Sequence, residues 1–328
     1  MKHQYAIMVS CTANYVQYLN ALLNSVDYTN HPVDVHIIAV TGNKKDEDEA
    51  FNTYLDKLDT YKDLSFHPIV HKRAYSDYEH YGAYRKIAQN MRWPELVVTS
   101  KMGRYGKLEE MTEYAAIVML DVDMMIVHNI MHFFKLVENT KIIIGCNERY
   151  KWALNNYCIE GQKDFPEMPM DWMICNAPLF LDPKHNGKFL QTAAKYVGTI
   201  QNKKGEYVSD IISMNVALWL AGVQDNIVAL PNYAWTGVHL GYTDITTYIQ
   251  NRGGNFWKAW NGEKVYILHG RWDVDGCERG WRRNQEKRYD ELELNETVRK
   301  RWMNQMEHVF KQIKDQYTFY NEKWKIRL

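Results

Sequence analysis

Two aspartates follow a run of apolar residues in the middle of the chain. Residues 115–120 are apolar throughout, and the run ends in Asp121-Val122-Asp123. Within this run, residues 117–120 predict a strand buried on both faces, as in a parallel sheet covered by helices. Since side chains alternate along a strand, Asp121 and Asp123 should leave the backbone on the same side. Neighbouring carboxylates repel each other unless a cation lies between them, so the pair predicts a site for Mg²⁺ or Mn²⁺ and a substrate diphosphate.

The same Asp-x-Asp spacing occurs at two other places in the sequence. Asp46 and Asp48 lie in a charged stretch that is typical of a solvated helix start, and Asp273 and Asp275 lie in a segment rich in Trp and Gly. Only the middle pair ends a buried strand, where an unpaired charge is costly. We therefore expect the middle pair alone to carry chemistry.

The N-terminal part of the chain alternates strands and helices. The apolar pattern predicts strands over residues 5–10, 33–40 and 65–70, with helices over residues 16–26 and 46–58. This alternation predicts a mostly parallel sheet. Ligands of open α/β sheets bind at the carboxyl ends of the strands, so the polar turn Thr12-Ala13-Asn14-Tyr15 should lie at the same edge as the Asp pair.

The later elements follow the same kind of pattern, with two long stretches predicted as loops. Strands are expected over residues 141–146, 172–181, 227–230 and 265–268, helices over residues 77–91, 130–137, 188–197 and 208–220, and loops over residues 147–170 and 236–262. His269 directly follows the last strand and can supply an imidazole as a third metal ligand. The sequence has 12 histidines, and a single His is more often a structural residue.

Composition limits the class of protein. The chain has 328 residues, enough for one large α/β domain or two small ones. Its 40 basic and 40 acidic residues argue against a general nucleic-acid-binding surface. The five cysteines show no C-x-x-C spacing, which favours a reduced, cytoplasmic location. The first residues are too polar for a signal peptide. The sequence has no run of about 18 apolar residues, so no transmembrane segment is predicted.

The order of these motifs resembles a known family. Cys11-Thr12-Ala13-Asn14-Tyr15, Tyr84-Arg85-Lys86 and Leu120-Asp121-Val122-Asp123 are similar, in this order, to motifs of the retaining glycosyltransferases of family 8, the glycogenin and lipooligosaccharide galactosyltransferase group. The resemblance continues in Cys175-Asn176-Ala177-Pro178, Asp210-Ile211-Ile212-Ser213-Met214-Asn215, Leu230-Pro231-Asn232-Tyr233 and His269-Gly270-Arg271-Trp272. It covers roughly residues 5–272 and implies an α/β GT-A fold, a mostly parallel twisted sheet flanked by helices.

The resemblance also implies roles for individual residues. It implies a UDP-sugar donor, a Mn²⁺ or Mg²⁺ ion on Asp121, Asp123 and His269, and catalytic roles for Asp210 and Asn176. The donor-binding residues that it implies are Thr12, Asn14, Tyr15, Arg85, Lys86, Val122 and Arg271. Three departures from the family pattern are Ile211 in place of Gln, Pro178 in place of Gly, and a missing Lys-Pro after His269, for which Arg271 is the substitute.

The functional prediction is a metal-dependent transfer of a hexose from a UDP-sugar to an acceptor, with retention of configuration. A glycan is the expected acceptor, and a modified DNA base is an alternative. A nucleotidyltransferase also uses strand-end carboxylates with a metal, but no Gly-rich phosphate loop follows Ser10. A carbohydrate-binding protein without activity is a third reading, which the presence of both Asp121 and Asp123 argues against.

The C-terminal part differs in composition from the rest. We expect a catalytic domain over residues 1–275 and a helical extension over residues 276–328, with an amphipathic helix over residues 296–314. Beyond that helix, aromatic residues alternate with basic ones. They are Tyr317, Phe319, Tyr320 and Trp324 with Lys323, Lys325 and Arg327. This mixture predicts a peripheral contact with an anionic membrane or with DNA, while packing of the helix on the catalytic domain is the alternative.

Overall fold

The structure is a computed structural model of the whole chain. It describes residues 2–42, 45–74, 104, 107–148, 157–159, 173–196, 200–202, 210–230, 249–251, 257–259, 264–270, 290, 293 and 295–328. Within these residues, no helix has both the length and the apolar character needed to cross a membrane.

The strands and helices alternate in the N-terminal half, as the sequence predicts. The strands are β1 (Tyr5–Thr12), β2 (Asp34–Thr41), β3 (His67–Ala74), β4 (Ala116–Leu120), β5 (Met124–Ile126), β6 (Ile143–Glu148), β7 (Tyr157–Ile159), β8 (Met173–Leu181), β9 (Ile200–Asn202), β10 (Ile227–Leu230), β11 (Ile249–Asn251), β12 (Trp257–Ala259) and β13 (Ile267–His269). The helices are α1 (Val16–Tyr28), α2 (Lys45–Leu58), α3 (Met131–Thr140), α4 (Pro183–Asn186), α5 (Lys188–Tyr196), α6 (Asp210–Leu220) and α7 (Glu296–Glu322).

Local sequence explains where several helices begin. Helix α2 has three acidic residues in its first turn and Lys57 in its last, which matches the charges of the helix dipole. Asn295 caps α7, because its side-chain oxygen accepts a hydrogen bond from the backbone N–H of Val298 at 3.0 Å. Asp182 caps α4 in the same way, through the backbone N–H groups of Lys184 and His185.

The strand that precedes the Asp motif, β4, lies in the middle of the main sheet. Its seven strands lie in the order β10-β6-β8-β4-β1-β2-β3 within the described part of the chain. Strand β4 pairs in parallel with β1, and β1 with β2, whereas β8 runs antiparallel to both β4 and β6. Every residue of β1 and β4 is buried, as expected for central strands covered on both faces. The α/β fold with a mostly parallel sheet is therefore confirmed.

The chain forms two compact units. The first comprises Met1–Val16, Pro32–Asp121 and Met131–Leu230, and it contains the seven-stranded sheet. The second comprises Gln17–His31, Val122–Ile130 and Pro231–Leu328, and it contains α1, α7 and the antiparallel pair of β5 and β13. The predicted boundary between residues 275 and 276 stays a prediction, since residues 271–289 lie outside the described residues.

Three local predictions were wrong. The predicted loop over residues 147–170 contains β7, which pairs with β9, and the predicted loop over residues 236–262 contains β11 and β12, which pair with each other. These strands are only three residues long, too short for a periodic signal. The last helix continues to Glu322 instead of ending at residue 314.

The aromatic residues near the C-terminus pack inside the second unit instead of facing a partner. Tyr317 and Tyr320 are buried, and Trp324 donates a hydrogen bond from Nε1 to Asp27 at 2.8 Å. Tyr28 on α1 contacts Trp324, with ring centroids 4.8 Å apart. The steps of four and three between positions 313, 317 and 320 continue the apolar face of α7, and Trp324 follows just after the helix ends. The structure therefore gives no support to the predicted membrane or DNA contact.

Candidate metal centre

Asp121 follows the last residue of β4 and is held by a buried arginine. Its Oδ1 lies 3.2 Å from Nη2 of Arg104, whose side chain is fully buried. Nη1 of the same guanidinium donates to the carbonyl oxygen of Leu120 at 2.6 Å. One arginine thus fixes both the end of the strand and the carboxylate that follows it, and it offsets part of the carboxylate's charge.

Asp123 faces the imidazole of His269, the last residue of β13. Its Oδ1 lies 3.3 Å from Nε2 of His269, and both side chains are mostly buried. The pairing of β5 with β13 sets this contact, because it places His269 beside Met124. The backbone N–H of Gly270 also donates to the carbonyl of Asp123 at 2.9 Å, and Gly270 has a φ of 147°, which favours glycine.

The three predicted metal ligands come together. Asp121, Asp123 and His269 each offer one ligand atom, and these atoms all lie within 4.8 Å of one another. Two carboxylate oxygens and an imidazole nitrogen form a donor set that suits Mn²⁺ and, less well, Mg²⁺, which prefers oxygen. The residues present therefore fit a divalent ion in type and in spacing.

The polar turn after β1 lies at the same edge of the main sheet as Asp121. Strands β1 and β4 run in parallel with Val9 beside Leu120, so both end toward the same edge of the sheet, and β1 continues beyond Leu120 to Thr12. Thr12 is buried and donates a hydrogen bond from Oγ1 to Oδ1 of Asn14 at 2.6 Å, while Asn14 itself is exposed. Tyr15 is half-buried and ends the short 3-10 helix that leads into α1.

Asn176 is buried in β8, the antiparallel neighbour of β4. Since Leu179 pairs with Met119, the residues that precede Leu179 lie beside the chain that follows Leu120. Asn176 therefore lies at the same edge as Asp121. Val122, between the two aspartates, is half-buried.

Helix α6 begins at Asp210, whose side chain lies outside the described residues. At the other end of the same motif, Asn215 is fully buried and has a structural role. It accepts a hydrogen bond from the backbone N–H of Ile174 at 3.0 Å and donates to the carbonyl of the same residue at 2.9 Å. Asn215 thus joins α6 to β8.

Sequence reasoning missed Arg104 and proposed Arg85, Lys86 and Arg271 as the basic residues of the site. Those three lie outside the described residues. Arg104 lies in Gly103-Arg104-Tyr105-Gly106, a stretch without periodic apolar residues. A charged residue in such a stretch is normally exposed to solvent. The local sequence therefore does not predict that Arg104 is buried.

Comparisons with known proteins concern the fold. No family model and no curated protein matches the sequence. The chain is similar to the apo structure of the bifunctional glycosyltransferase WbbM, with a TM-score of 0.50 at 11% identity over 87% of this chain and 50% of that one. It is also similar to the galactosyltransferase LgtC in complex with donor and acceptor sugar analogues, with a TM-score of 0.49 at 12% identity over 86% of this chain and 95% of that one. Mouse xyloside xylosyltransferase 1 matches with a TM-score of 0.44 at 12% identity over 81% of this chain and 97% of that one.

The likeness to WbbM defines the class of fold. The chain spans about half the length of that structure. Together with the mostly parallel sheet and its antiparallel β8, the match assigns the α/β fold of GT-A glycosyltransferases. At 11% identity, the likeness extends to the fold and not to the reaction.

Proposed function

We propose that this protein is a metal-dependent glycosyltransferase that transfers a hexose from a UDP-sugar to an acceptor with retention, in the manner of family 8. The observation that carries the proposal is the group formed by Asp121, Asp123 and His269 in a chain with the GT-A fold. Three convergent ligand atoms at the end of a central strand are what a divalent ion shared with a diphosphate requires.

Each residue of the group has a task in this proposal. Asp121 and Asp123 supply oxygen ligands, and His269 supplies a nitrogen ligand. When bound, the ion acts as a Lewis acid that stabilises the negative charge on the departing nucleoside diphosphate. Arg104 keeps Asp121 in one orientation through the contact at 3.2 Å, so that the ligand oxygen is placed before the ion arrives.

The donor would lie along the edge of the main sheet next to this group. Thr12, Asn14 and Tyr15 are proposed to contact the nucleotide, because they lie at the carboxyl end of β1 and in the turn after it. The hydrogen bond from Thr12 orients the amide of Asn14. Asn176 and Asp210 are proposed to contact the sugar, and Arg85, Lys86 and Arg271 to contact the diphosphate. A glycan is the acceptor that we propose.

The proposal is tested by incubating the purified chain with UDP-glucose, UDP-galactose or UTP, with and without Mn²⁺. We expect release of UDP from one of the UDP-sugars, and no release in EDTA. His269→Ala should weaken Mn²⁺ binding by about tenfold, because one ligand of about six is lost. Release of inorganic diphosphate from UTP would instead indicate a nucleotidyltransferase. UDP release that is unchanged in EDTA would contradict the metal site.

The stereochemical part needs a separate measurement. The anomeric configuration of the first-formed product, followed by proton NMR during turnover, should match that of the donor sugar. Inversion would contradict the family 8 assignment while leaving the metal-dependent transfer in place.

A further inference from the structure

Two buried polar side chains of helix α1 and the turn that follows it hold the chain just after Asp123. Oγ of Ser25 accepts a hydrogen bond from the backbone N–H of Ile126 at 3.0 Å. Nε2 of His31 accepts one from the backbone N–H of Ile130 at 2.9 Å. Both side chains are completely buried. The two acceptors therefore fix both ends of a five-residue segment that begins three residues after Asp123.

The protons in these contacts can be placed from the hydrogen-bond partners. The hydroxyl of Ser25 donates to the carbonyl of Leu22 at 2.6 Å, which leaves its oxygen to accept from Ile126. Thr29 likewise donates to the carbonyl of Ser25 at 2.6 Å, so its oxygen accepts from Nδ1 of His31 at 2.9 Å. His31 is thus the tautomer with a proton on Nδ1 and a lone pair on Nε2.

Burial keeps His31 in this acceptor form. It lowers the pKa of His31 to about 4, so the ring is neutral near pH 7. A neutral imidazole with Nδ1 protonated is the form whose Nε2 can accept from Ile130. Ser25 and His31 make these hydrogen bonds inside the protein, where a backbone N–H without an acceptor is unfavourable.

The held segment continues directly into the candidate metal centre. Strand β5, which ends at Ile126, pairs with β13, and the carbonyl of Tyr266 accepts from the backbone N–H of Val127 at 2.9 Å. At the other end of this ladder, Asp123 accepts from Gly270, next to His269. A shift of Ile126 along its strand would therefore move Asp123 relative to His269.

We propose that Ser25 and His31 are positioning residues, which set the distance between Asp123 and His269 by anchoring the backbone at Ile126 and Ile130. They contact neither a metal nor a substrate. The link to metal affinity rests on the proposed function, whereas the anchoring of β5 does not.

The experiment compares matched substitutions in the full chain. In His31→Gln the side-chain amide reaches the position of Nε2 and can accept from Ile130. In His31→Asn the shorter amide reaches only the position of Nδ1 and leaves Ile130 without this acceptor. Ser25→Ala removes the acceptor for Ile126. Asn20→Ala is the control, since Asn20 is equally buried on α1 and its side chain donates to Asn321 on α7 at 2.9 Å.

The first measurement is hydrogen exchange by mass spectrometry on the metal-free protein, for peptides that cover residues 122–130 and 264–270. We expect exchange there to be at least about tenfold faster in Ser25→Ala and His31→Asn than in the parent, Asn20→Ala and His31→Gln. Equal exchange in all five proteins would overturn the proposal. A uniform increase that includes Asn20→Ala would also overturn it, because general loosening of the fold would then explain the result.

The second measurement is the Kd for Mn²⁺, at a temperature where every variant is folded by circular dichroism. We expect binding to weaken by about tenfold in Ser25→Ala and His31→Asn and to be unchanged in Asn20→Ala and His31→Gln. If the parent binds Mn²⁺ and the first two variants bind it equally well, the positioning role is wrong. If the parent does not bind Mn²⁺ while exchange changes as expected, the proposed metal function fails and the anchoring role remains.

Discussion

Within the described part of the chain, two of the clusters of carboxylates and imidazoles use the same residue types in different ways. One is the candidate metal centre of Asp121, Asp123 and His269. The other, which we call the β2 network, consists of Asp34 and His36 on β2, His71 on β3 and Tyr114 just before β4. In the network, Tyr114 donates from its hydroxyl to Asp34 at 2.8 Å, and its oxygen contacts Nε2 of His36 at 2.7 Å.

Donors and acceptors alternate through the β2 network. Asp34 also accepts from the backbone N–H groups of Lys2 at 2.8 Å and His3 at 3.1 Å. Since Tyr114 gives its only proton to Asp34, Nε2 of His36 must be the donor to Tyr114, and Nδ1 of His36 accepts from Nε2 of His71 at 2.8 Å. The hydrogen bonds inside the network therefore pair donors with acceptors, and among the described residues no third ligand converges on them as it does in the metal centre.

The metal centre has the opposite arrangement. Ligand atoms of Asp121, Asp123 and His269 converge within 4.8 Å, and Arg104 approaches the group through Asp121. Convergent lone pairs are suited to a cation, whereas alternating donors and acceptors are suited to stability. Residue type alone would not separate the two clusters, because both contain buried Asp and His.

The largest expected effect distinguishes Asp123 of the metal centre from Asp34 of the β2 network. Asp123→Asn should lower UDP-sugar hydrolysis by roughly 100- to 1000-fold while the protein stays folded, because it removes charge that the ion and the developing phosphate charge require. Asp34→Asn should leave that activity unchanged in the folded protein. It should lower the free energy of unfolding by roughly 1.5–3 kcal/mol, through loss of hydrogen bonds to a charged group. Urea unfolding and hydrolysis assays measure both effects. Activity of Asp123→Asn within tenfold of the parent would remove it from the site.

Arg104 gives the next largest effect, and it depends on the metal. Arg104→Met should lower the free energy of unfolding by about 3–5 kcal/mol, because it removes the buried positive charge that faces the carboxylate of Asp121. Mn²⁺ should restore part of the loss. Lys72→Met is the control, since Lys72 pairs at 2.7 Å with Asp56, both side chains are exposed, and such a pair should contribute only about 0–1 kcal/mol. Thermal unfolding with and without Mn²⁺ measures both variants. Equal loss in the presence and absence of Mn²⁺ would contradict binding of the ion at Asp121.

Acid should affect the β2 network through its imidazoles. Burial lowers the pKa of His36 and of His71 to about 4, with smaller contributions from His71 at His36 and from Lys107 at His71. Because these pKa values lie below the unfolded value of 6.5, their contribution to stability is present above about pH 6.5 and is lost as the pH falls toward 4. Each group changes the free energy of unfolding by up to about 1.4 kcal/mol per pH unit. Urea unfolding at pH 7 and pH 5 measures this loss together with that from His31, whose pKa is also about 4, and equal stability at both pH values would contradict neutral burial of these rings.

Asp34 should resist this acidification longer than the imidazoles do. Burial by itself would raise its pKa, but the hydrogen bonds from Lys2, Tyr114 and His3 outweigh burial and lower the pKa of Asp34. The contribution of Asp34 to stability is therefore present above the ordinary aspartate pKa of 3.8 and is lost only as the pH falls below that pKa. The acid transition of the network should begin at the histidines.

Local sequence determined the elements around the Asp motif. The apolar run before Asp121 predicts β4, and the alternation of strands and helices over the N-terminal part predicts a mostly parallel sheet, because side-chain periodicity reports which face of an element is buried. The same reasoning placed His269 after the last strand. These predictions depend on residues that are close together in the sequence.

Tertiary structure alone decided which distant residues meet. The antiparallel direction of β8, the burial of Arg104 beside Asp121, the contact of His31 with Ile130 and the packing of Trp324 against α1 each join segments that local patterns treat separately. A charged or aromatic side chain has the same local signal whether it faces water or a partner elsewhere in the chain. Its role is decided by the hydrogen-bond and packing partners that the fold brings to it.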